Sequence, residues 1–144
     1  MTAFILAMTL HPSIQTRAQA ELDAVLGPAP GAPAGPSTAT RLPTFADRAR
    51  LPYIHALVLE VLRWNPAVPL GLAHRGTQDD VYRGRVVPKG TVVWANIWSM
   101  LQDPGVFPEP GAFRPERYLD EDGGLRELER WEDPSVVGFG FGRR

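Results

Sequence analysis

The segment that most constrains the fold of this chain is LPYIHALVLEVLRWN, residues 51–65. Pro52 suits the first turn of a helix, where a missing backbone N–H costs nothing, and Pro66 disfavours helical backbone at Asn65. Between the two prolines, apolar residues recur at helical spacing: Ile54, Leu57, Val58, Val61 and Leu62. This spacing predicts a helix with one continuous apolar face.

Glu60 and Arg63 are opposite charges inside this otherwise apolar helix. Their i, i+3 spacing makes them neighbours on the helix surface. A solvated helix face is one interpretation, and a partly buried, charge-assisted pair is the other. The buried alternative needs a third partner, because a guanidinium has more hydrogen-bond donors than one carboxylate can accept.

Two motifs downstream complete the pattern. Residues 113–118 read FRPERY and offer Arg117 as the third partner, and residues 139–144 read FGFGRR. In this order, E-x-x-R on a helix, P-E-R-Y and F-G-F-G-R-R resemble the C-terminal part of a cytochrome P450, a haem-thiolate monooxygenase, of the fungal microsomal type. The resemblance extends from about Leu6 to Arg144 and is carried by the ordered set rather than by any single motif.

The predicted fold is mainly α-helical with a small β-sheet at residues 73–95, which is part of a cytochrome P450 fold. We expect one domain over residues 1–144, with a flexible Pro/Gly/Ala-rich surface loop at residues 28–40. Two helices precede this loop, one ending at Leu10 and one running from Pro12 to Gly27. On the second, Arg17 and Glu21 are expected to face water. Asn96 is expected to cap a short helix, and residues 134–144 are expected to form a loop.

Composition limits the class of partner and the chemistry. The 15 basic and 16 acidic residues give a net charge of −1, so a nucleic-acid partner is not expected. The apolar segment at residues 1–10 is too short to cross a bilayer, and no secretory signal is evident. The sequence has no cysteine, which excludes disulfides, thiolate metal sites and a cysteine nucleophile in this chain.

The resemblance implies roles for individual residues, none of them catalytic and none a metal ligand. Glu60, Arg63 and Arg117 would form a structural charge trio that supports the cofactor site. The positions that match haem contacts are His74 and Arg144 at the propionates, Phe139 beside the iron's sulfur ligand, and Gly142 in the haem loop. Arg75 is the alternative to His74 at the propionate. The candidates for substrate contact are Val68, Leu70 and Leu72, for which ordinary core packing is an equal alternative.

The parent enzyme implied by the resemblance uses haem, iron protoporphyrin IX, to insert one oxygen atom from O2 into a small apolar substrate. Its electrons would come from an NAD(P)H-dependent cytochrome P450 reductase, and it would lie at the cytoplasmic face of the endoplasmic reticulum membrane. The resemblance places the iron-ligating cysteine two residues beyond Arg144 and the oxygen-activating helix before Met1. Both ends are therefore expected to be cut, and the isolated chain is expected to be inactive. The alternative is a non-catalytic binding or scaffold domain that has the same shape but no haem.

Overall fold

Helices make up most of the regular structure. The computed structural model describes residues 2–27 and 41–140, so the loop predicted at residues 28–40 lies outside the described residues. Helix α1 spans Thr2–Leu10 and α2 spans Pro12–Leu26. Gly27, with a φ of +70°, ends α2 by donating its N–H to the carbonyl of Asp23 at 2.9 Å. These boundaries confirm the two predicted helices, with Pro12 at the start of α2 and Gly27 directly after its end.

Helix α3 spans Pro52–Trp64, as its flanking prolines predict, but its buried face differs from the predicted apolar stripe. Val58, on that stripe, is 50% exposed, whereas Glu60 and Arg63 are 0% exposed. The helix is apolar on nearly every side, so hydrophobic spacing alone does not select the face that enters the core. The face that is buried contains Tyr53, Ala56, Leu57, Leu59, Glu60 and Arg63.

The region of residues 73–95 forms two small antiparallel sheets. Strand β1, His74–Arg75, pairs with β4, Val92–Val93. Strand β2, Asp80–Tyr82, pairs with β3, Arg85–Val87. The turn between β2 and β3 is closed by Arg83 and Gly84, both with positive φ. The predicted mainly α-helical fold with a small β component is confirmed.

The last third of the chain contains three short helical segments. Helix α4 spans Ile97–Leu101 and is capped by the Asn96 side chain, which accepts a hydrogen bond from the Ser99 N–H at 3.1 Å. A 3-10 helix, named here the PERY helix, spans Pro115–Tyr118. Helix α5 spans Pro134–Gly138, so the loop predicted over residues 134–138 is wrong. Asp133 caps α5 by accepting from the Ser135 N–H at 2.8 Å, and Pro134 follows it at a position that favours helix initiation.

Two apolar clusters hold these elements together, and α3 contributes to both. The first joins α3 to α4, α5 and the PERY helix through Ala56, Leu59, Ile97, Leu101, Phe107, Tyr118 and Val137. The second joins α3 to α1 and α2 through Ala7, Met8, Ala18, Tyr53, Leu57 and Phe113. Helix α3 is therefore the element around which the others pack.

A further 3-10 helix, Phe45–Arg50, precedes α3 and brings Arg48 to His55. The Arg48 Nη2 atom lies 3.1 Å from His55 Nε2. A guanidinium only donates hydrogen bonds, so Nε2 must accept and the ring must be neutral. Burial and the charge of Arg48 lower the pKa of His55, while Asp133 opposes this change.

We expect this contact to make stability depend on pH. The pKa of His55 is lower in the folded chain than its unfolded value of about 6.5. Its contribution to the free energy of unfolding is therefore complete above about pH 6.5 and decreases as the pH falls towards the folded-state pKa. Urea unfolding of the wild type and His55→Gln between about pH 8 and pH 5 would measure the effect. Identical pH profiles for the two proteins would contradict it.

Candidate functional site

The Glu60–Arg63 pair lies at the buried centre of the molecule. Arg63 Nε donates to Glu60 Oε2 at 2.8 Å, and Arg63 Nη2 donates to Glu60 Oε1 at 2.9 Å. Both side chains are 0% exposed. The fork-on-carboxylate geometry is the strongest form of this interaction, and the pair is buried rather than solvated.

Arg117 approaches the same carboxylate from the PERY helix. Its Nε atom lies 3.1 Å from Glu60 Oε2 and 3.2 Å from Oε1, and its side chain is 5% exposed. The backbone N–H of Arg114 also donates to Glu60 Oε1, at 2.8 Å. The structure thus brings Glu60, Arg63 and Arg117 together, and one carboxylate joins α3 to the PERY helix.

Backbone carbonyls accept further hydrogen bonds from both guanidinium groups. Arg63 donates to the carbonyls of Leu101 at 3.0 Å and Ala112 at 3.2 Å. Arg117 donates to the carbonyls of Pro108 at 3.0 Å and Ala112 at 3.2 Å. Burying charges is tolerable only when such partners are supplied, and here they also fix the irregular segment at residues 102–114.

This arrangement is suited to support rather than to chemistry. Glu60 accepts from two guanidinium groups and one backbone amide, so its oxygens are occupied and face no open pocket. Within residues 2–27 and 41–140, no group of three or more His, Cys, Asp or Glu side chains could hold a metal ion. The charge trio therefore acts as a rigid connection between elements.

Tyr118, the last residue of the PERY helix, is 0% exposed. Its hydroxyl has no hydrogen-bond partner among the residues that the structure describes. Burial and the nearby Glu60 carboxylate raise the pKa of this phenol, so the group stays protonated. An unpaired buried hydroxyl opposes folding, because it loses its bonds to water without replacement.

We therefore expect Tyr118→Phe to raise the free energy of unfolding by ~1 kcal/mol. Tyr53→Phe is the matched control, because the Tyr53 hydroxyl does donate a hydrogen bond, to Glu116 Oε1 at 3.0 Å. This control should lower the free energy of unfolding by ~1 kcal/mol. Urea denaturation of both variants distinguishes the two cases. A loss of stability in Tyr118→Phe as large as in Tyr53→Phe would show that the Tyr118 hydroxyl is paired.

Two of the residues matched to haem contacts, His74 and Phe139, occupy exposed positions. His74 is exposed on β1, opposite Val93, and Phe139 follows α5 with 74% of its surface exposed. In the described part of the chain, no hydrogen bond or ring contact joins either of them to the trio. Gly142 and Arg144 lie outside the described residues.

The three candidates for substrate contact lie on an exposed loop. Val68, Leu70 and Leu72 are 47%, 54% and 75% exposed. None belongs to either apolar cluster of the described residues. Gly71, between them, has a φ of +63° and turns the loop against Ile97 and Ala95.

An apolar groove of about 800 Å3 runs along the exposed side of α3. Val58 and Leu62 of α3 line it, together with Phe45 and Phe139. The described residues leave this mainly apolar surface open.

Sequence reasoning missed two acidic residues that organise the fold. Glu21 was predicted to face water, but its side chain is partly buried and its carboxylate accepts the backbone N–H groups of Tyr53 and Ile54. Glu132 forms a two-bond ion pair with Arg126, at 3.0 and 3.1 Å. The contact of Glu21 joins residues more than thirty positions apart, so no local signal could reveal it.

The family model described as Cytochrome P450 matches residues 1–144. Similar curated proteins include Cytochrome P450 monooxygenase claR of Ampulloclitocybe clavipes, 46% identical over 144 residues, and Cytochrome P450 monooxygenase 58 of Postia placenta, 45% identical over 144 residues. Cytochrome P450 monooxygenase COX2 of Coprinopsis cinerea is 47% identical over 142 residues. These alignments cover 99–100% of this chain and 24–25% of each relative.

The fold is centred on α3, whose buried Glu60 contacts Arg63 and Arg117. With the match over its whole length, the chain belongs to the cytochrome P450 family. It spans about a quarter of the length of the curated relatives that it matches. None of the helices in residues 2–27 and 41–140 is long and apolar enough to cross a membrane.

Proposed function

We propose that this chain is a segment of a haem-dependent monooxygenase that supports the cofactor site. The observation that carries this proposal is the buried carboxylate of Glu60, which ties α3 to Arg117 of the PERY helix. The rigid connection holds residues 102–118 in place. The segment matched to the haem loop, residues 139–144, follows them in the sequence. The trio supports the site and does not take part in the reaction.

Within this proposal, the exposed imidazole of His74, with Arg75 beside it, would pair with a propionate. The exposed side chains of Leu70, Leu72 and Phe139 would meet the apolar ring. A haem iron held by a cysteine thiolate would supply the cleavage of the O–O bond. This chain has no cysteine, so it cannot supply that ligand itself.

The wider activity of the parent enzyme follows as part of the same proposal. It inserts one oxygen atom from O2 into a small apolar substrate, towards which the exposed loop of Val68, Leu70 and Leu72 would face. Electrons come from an NAD(P)H-dependent reductase at the cytoplasmic face of the endoplasmic reticulum membrane. The ligand cysteine lies two residues beyond Arg144 in the parent, where the resemblance to the family puts it. The chain is thus a C-terminal piece of that enzyme, and a full-length transcript would test this placement.

A chimera tests the proposed function directly. Residues 1–144 would replace the matching segment of a full-length relative, which supplies the cysteine and the remaining helices. We expect the purified chimera to bind haem and, after reduction and addition of carbon monoxide, to give the absorption band typical of thiolate ligation. The unaltered relative serves as the control. A folded chimera without that band would contradict the proposal.

The alternative function is that of a scaffold domain without haem. We expect the isolated 144-residue chain, mixed with haemin, to give no thiolate-type carbon monoxide band, because it has no cysteine. Its uncovered apolar groove should also make it prone to self-association. The scaffold alternative would be favoured if the chimera folded but bound no haem.

A further inference from the structure

Helix α3 begins without a cap of its own. The residue at its N-cap position is Leu51, which has no side-chain acceptor, and Pro52 follows it without an N–H. The first backbone donors are therefore the N–H groups of Tyr53 and Ile54. Free donors at a helix start need an acceptor when the site is partly buried, and here Tyr53 is only 3% exposed.

Glu21 supplies that acceptor from a different helix. Its Oε1 accepts the Tyr53 N–H at 2.9 Å, and its Oε2 accepts the Ile54 N–H at 2.9 Å. The negative charge also lies at the positive end of the α3 dipole, which adds to the attraction. Helix α2 thus supplies the cap that the start of α3 lacks.

A second carboxylate, that of Glu116, binds the hydroxyl group of Tyr53. The Tyr53 hydroxyl donates to Glu116 Oε1 at 3.0 Å. Arg17 of α2 donates to the same oxygen at 3.0 Å, and its guanidinium carbon lies 4.3 Å from the centre of the Tyr53 ring. Tyr53 therefore connects the start of α3, through Glu116, to the PERY helix.

The contacts of Glu21 and Glu116 with Tyr53 and the charge trio involve the same two elements, α3 and the PERY helix. Glu116 and Arg117 are adjacent on the PERY helix, and Arg117 donates to Glu60, further along α3. Helix α3 is consequently held at its first turn by Glu21 and Glu116 and further along by Arg117. A rotation of α3 about its axis would break both sets of bonds together.

We infer that Glu21 is a positioning residue, which caps α3 from α2 and thereby places Glu60 and Arg63 opposite Arg117. The inference concerns the geometry of the trio and does not depend on haem binding. Its action is indirect, because Glu21 makes no contact with the trio in the described part of the chain.

Hydrogen exchange measured by NMR on the 144-residue chain tests this role. In Glu21→Gln we expect the amides of Tyr53 and Ile54 to exchange at least tenfold faster, and the Arg117 Nε–H to exchange faster as well. The amide of Leu101, at the buried end of α4, reports global opening and should change much less. Glu127→Gln, an exposed Glu-to-Gln change elsewhere, should leave all these rates unchanged.

Two outcomes would overturn the inference. One is a uniform acceleration of Tyr53, Ile54 and Leu101, which would mean that Glu21 contributes only to overall stability. The other is faster exchange at Tyr53 and Ile54 with no change at the Arg117 Nε–H, which would mean a local cap that does not position the trio.

Glu21→Asp keeps the inference testable if Glu21→Gln does not fold. The shorter side chain keeps the charge and withdraws the carboxylate from the N–H groups of Tyr53 and Ile54. Faster exchange of these two amides and of the Arg117 Nε–H, relative to the amide of Leu101, supports the positioning role. An unchanged Arg117 Nε–H would argue against it.

Discussion

Arg63→Ala is expected to lower the free energy of unfolding by ~3–5 kcal/mol, which is much of the stability of a domain of this size. The change leaves the fully buried Glu60 carboxylate with Arg117 as its one remaining guanidinium partner, and it also removes the donors that hold the carbonyls of Leu101 and Ala112. The cost is large because the stranded groups remain out of water. Urea denaturation followed by circular dichroism would measure it.

The Arg114–Glu109 pair provides the matched control for this prediction. Its N–O distance is 3.0 Å, close to that of the buried pair, but its side chains are 43% and 73% exposed. Arg114→Ala should therefore change the free energy of unfolding by no more than ~1 kcal/mol. Equal losses in Arg63→Ala and Arg114→Ala would show that burial does not decide the strength of the Glu60 pair.

Phe107→Ala is expected to lower the free energy of unfolding by ~3–5 kcal/mol. Phe107 is 2% exposed within the cluster that joins α3 to α4, and its ring centre lies 5.5 Å from the guanidinium carbon of Arg63. Removing the ring creates a cavity and takes away the aromatic surface beside the charge trio. Thermal and urea unfolding would both report the loss.

Phe45→Ala is the control for this second prediction, because Phe45 is also a phenylalanine but is 96% exposed. It should change the free energy of unfolding by less than ~0.5 kcal/mol. If Phe107→Ala were as mild as Phe45→Ala, residues 102–114 would not be packed as the structure describes. Phe107→Leu, which keeps much of the volume, should lie between the two.

Local signals predicted the helices well where a proline or glycine marks the boundary. Pro12 with Gly27, and Pro52 with Pro66, bound α2 and α3 in the sequence and in the structure. Asn96, predicted to cap a short helix, is the N-cap residue of α4. Helix α5, which was not predicted, has such a signal too: Asp133 at the N-cap, followed by Pro134. The local sequence therefore contains enough information to predict this helix.

Contacts between distant elements could be predicted only in part. The spacing of Glu60 and Arg63 is compatible with both a solvated and a buried pair. Residues three or four positions apart are neighbours on a helix surface, whether that face is exposed or buried. Burial depends on what α4 and the PERY helix place against α3, which periodicity does not reveal. The cap from Glu21 lies beyond local patterns for the same reason.

The proposed support of a haem site by the charge trio can be tested by measuring haem content in the chimera with a full-length relative. We expect Glu60→Gln in the chimera to lower sharply the thiolate-type carbon monoxide band per mole of protein, whereas Arg114→Ala should leave it unchanged. Glu60→Gln keeps the size of the side chain and removes the charge that both guanidinium groups bind. Full haem content in the Glu60→Gln chimera would show that the trio does not support the site.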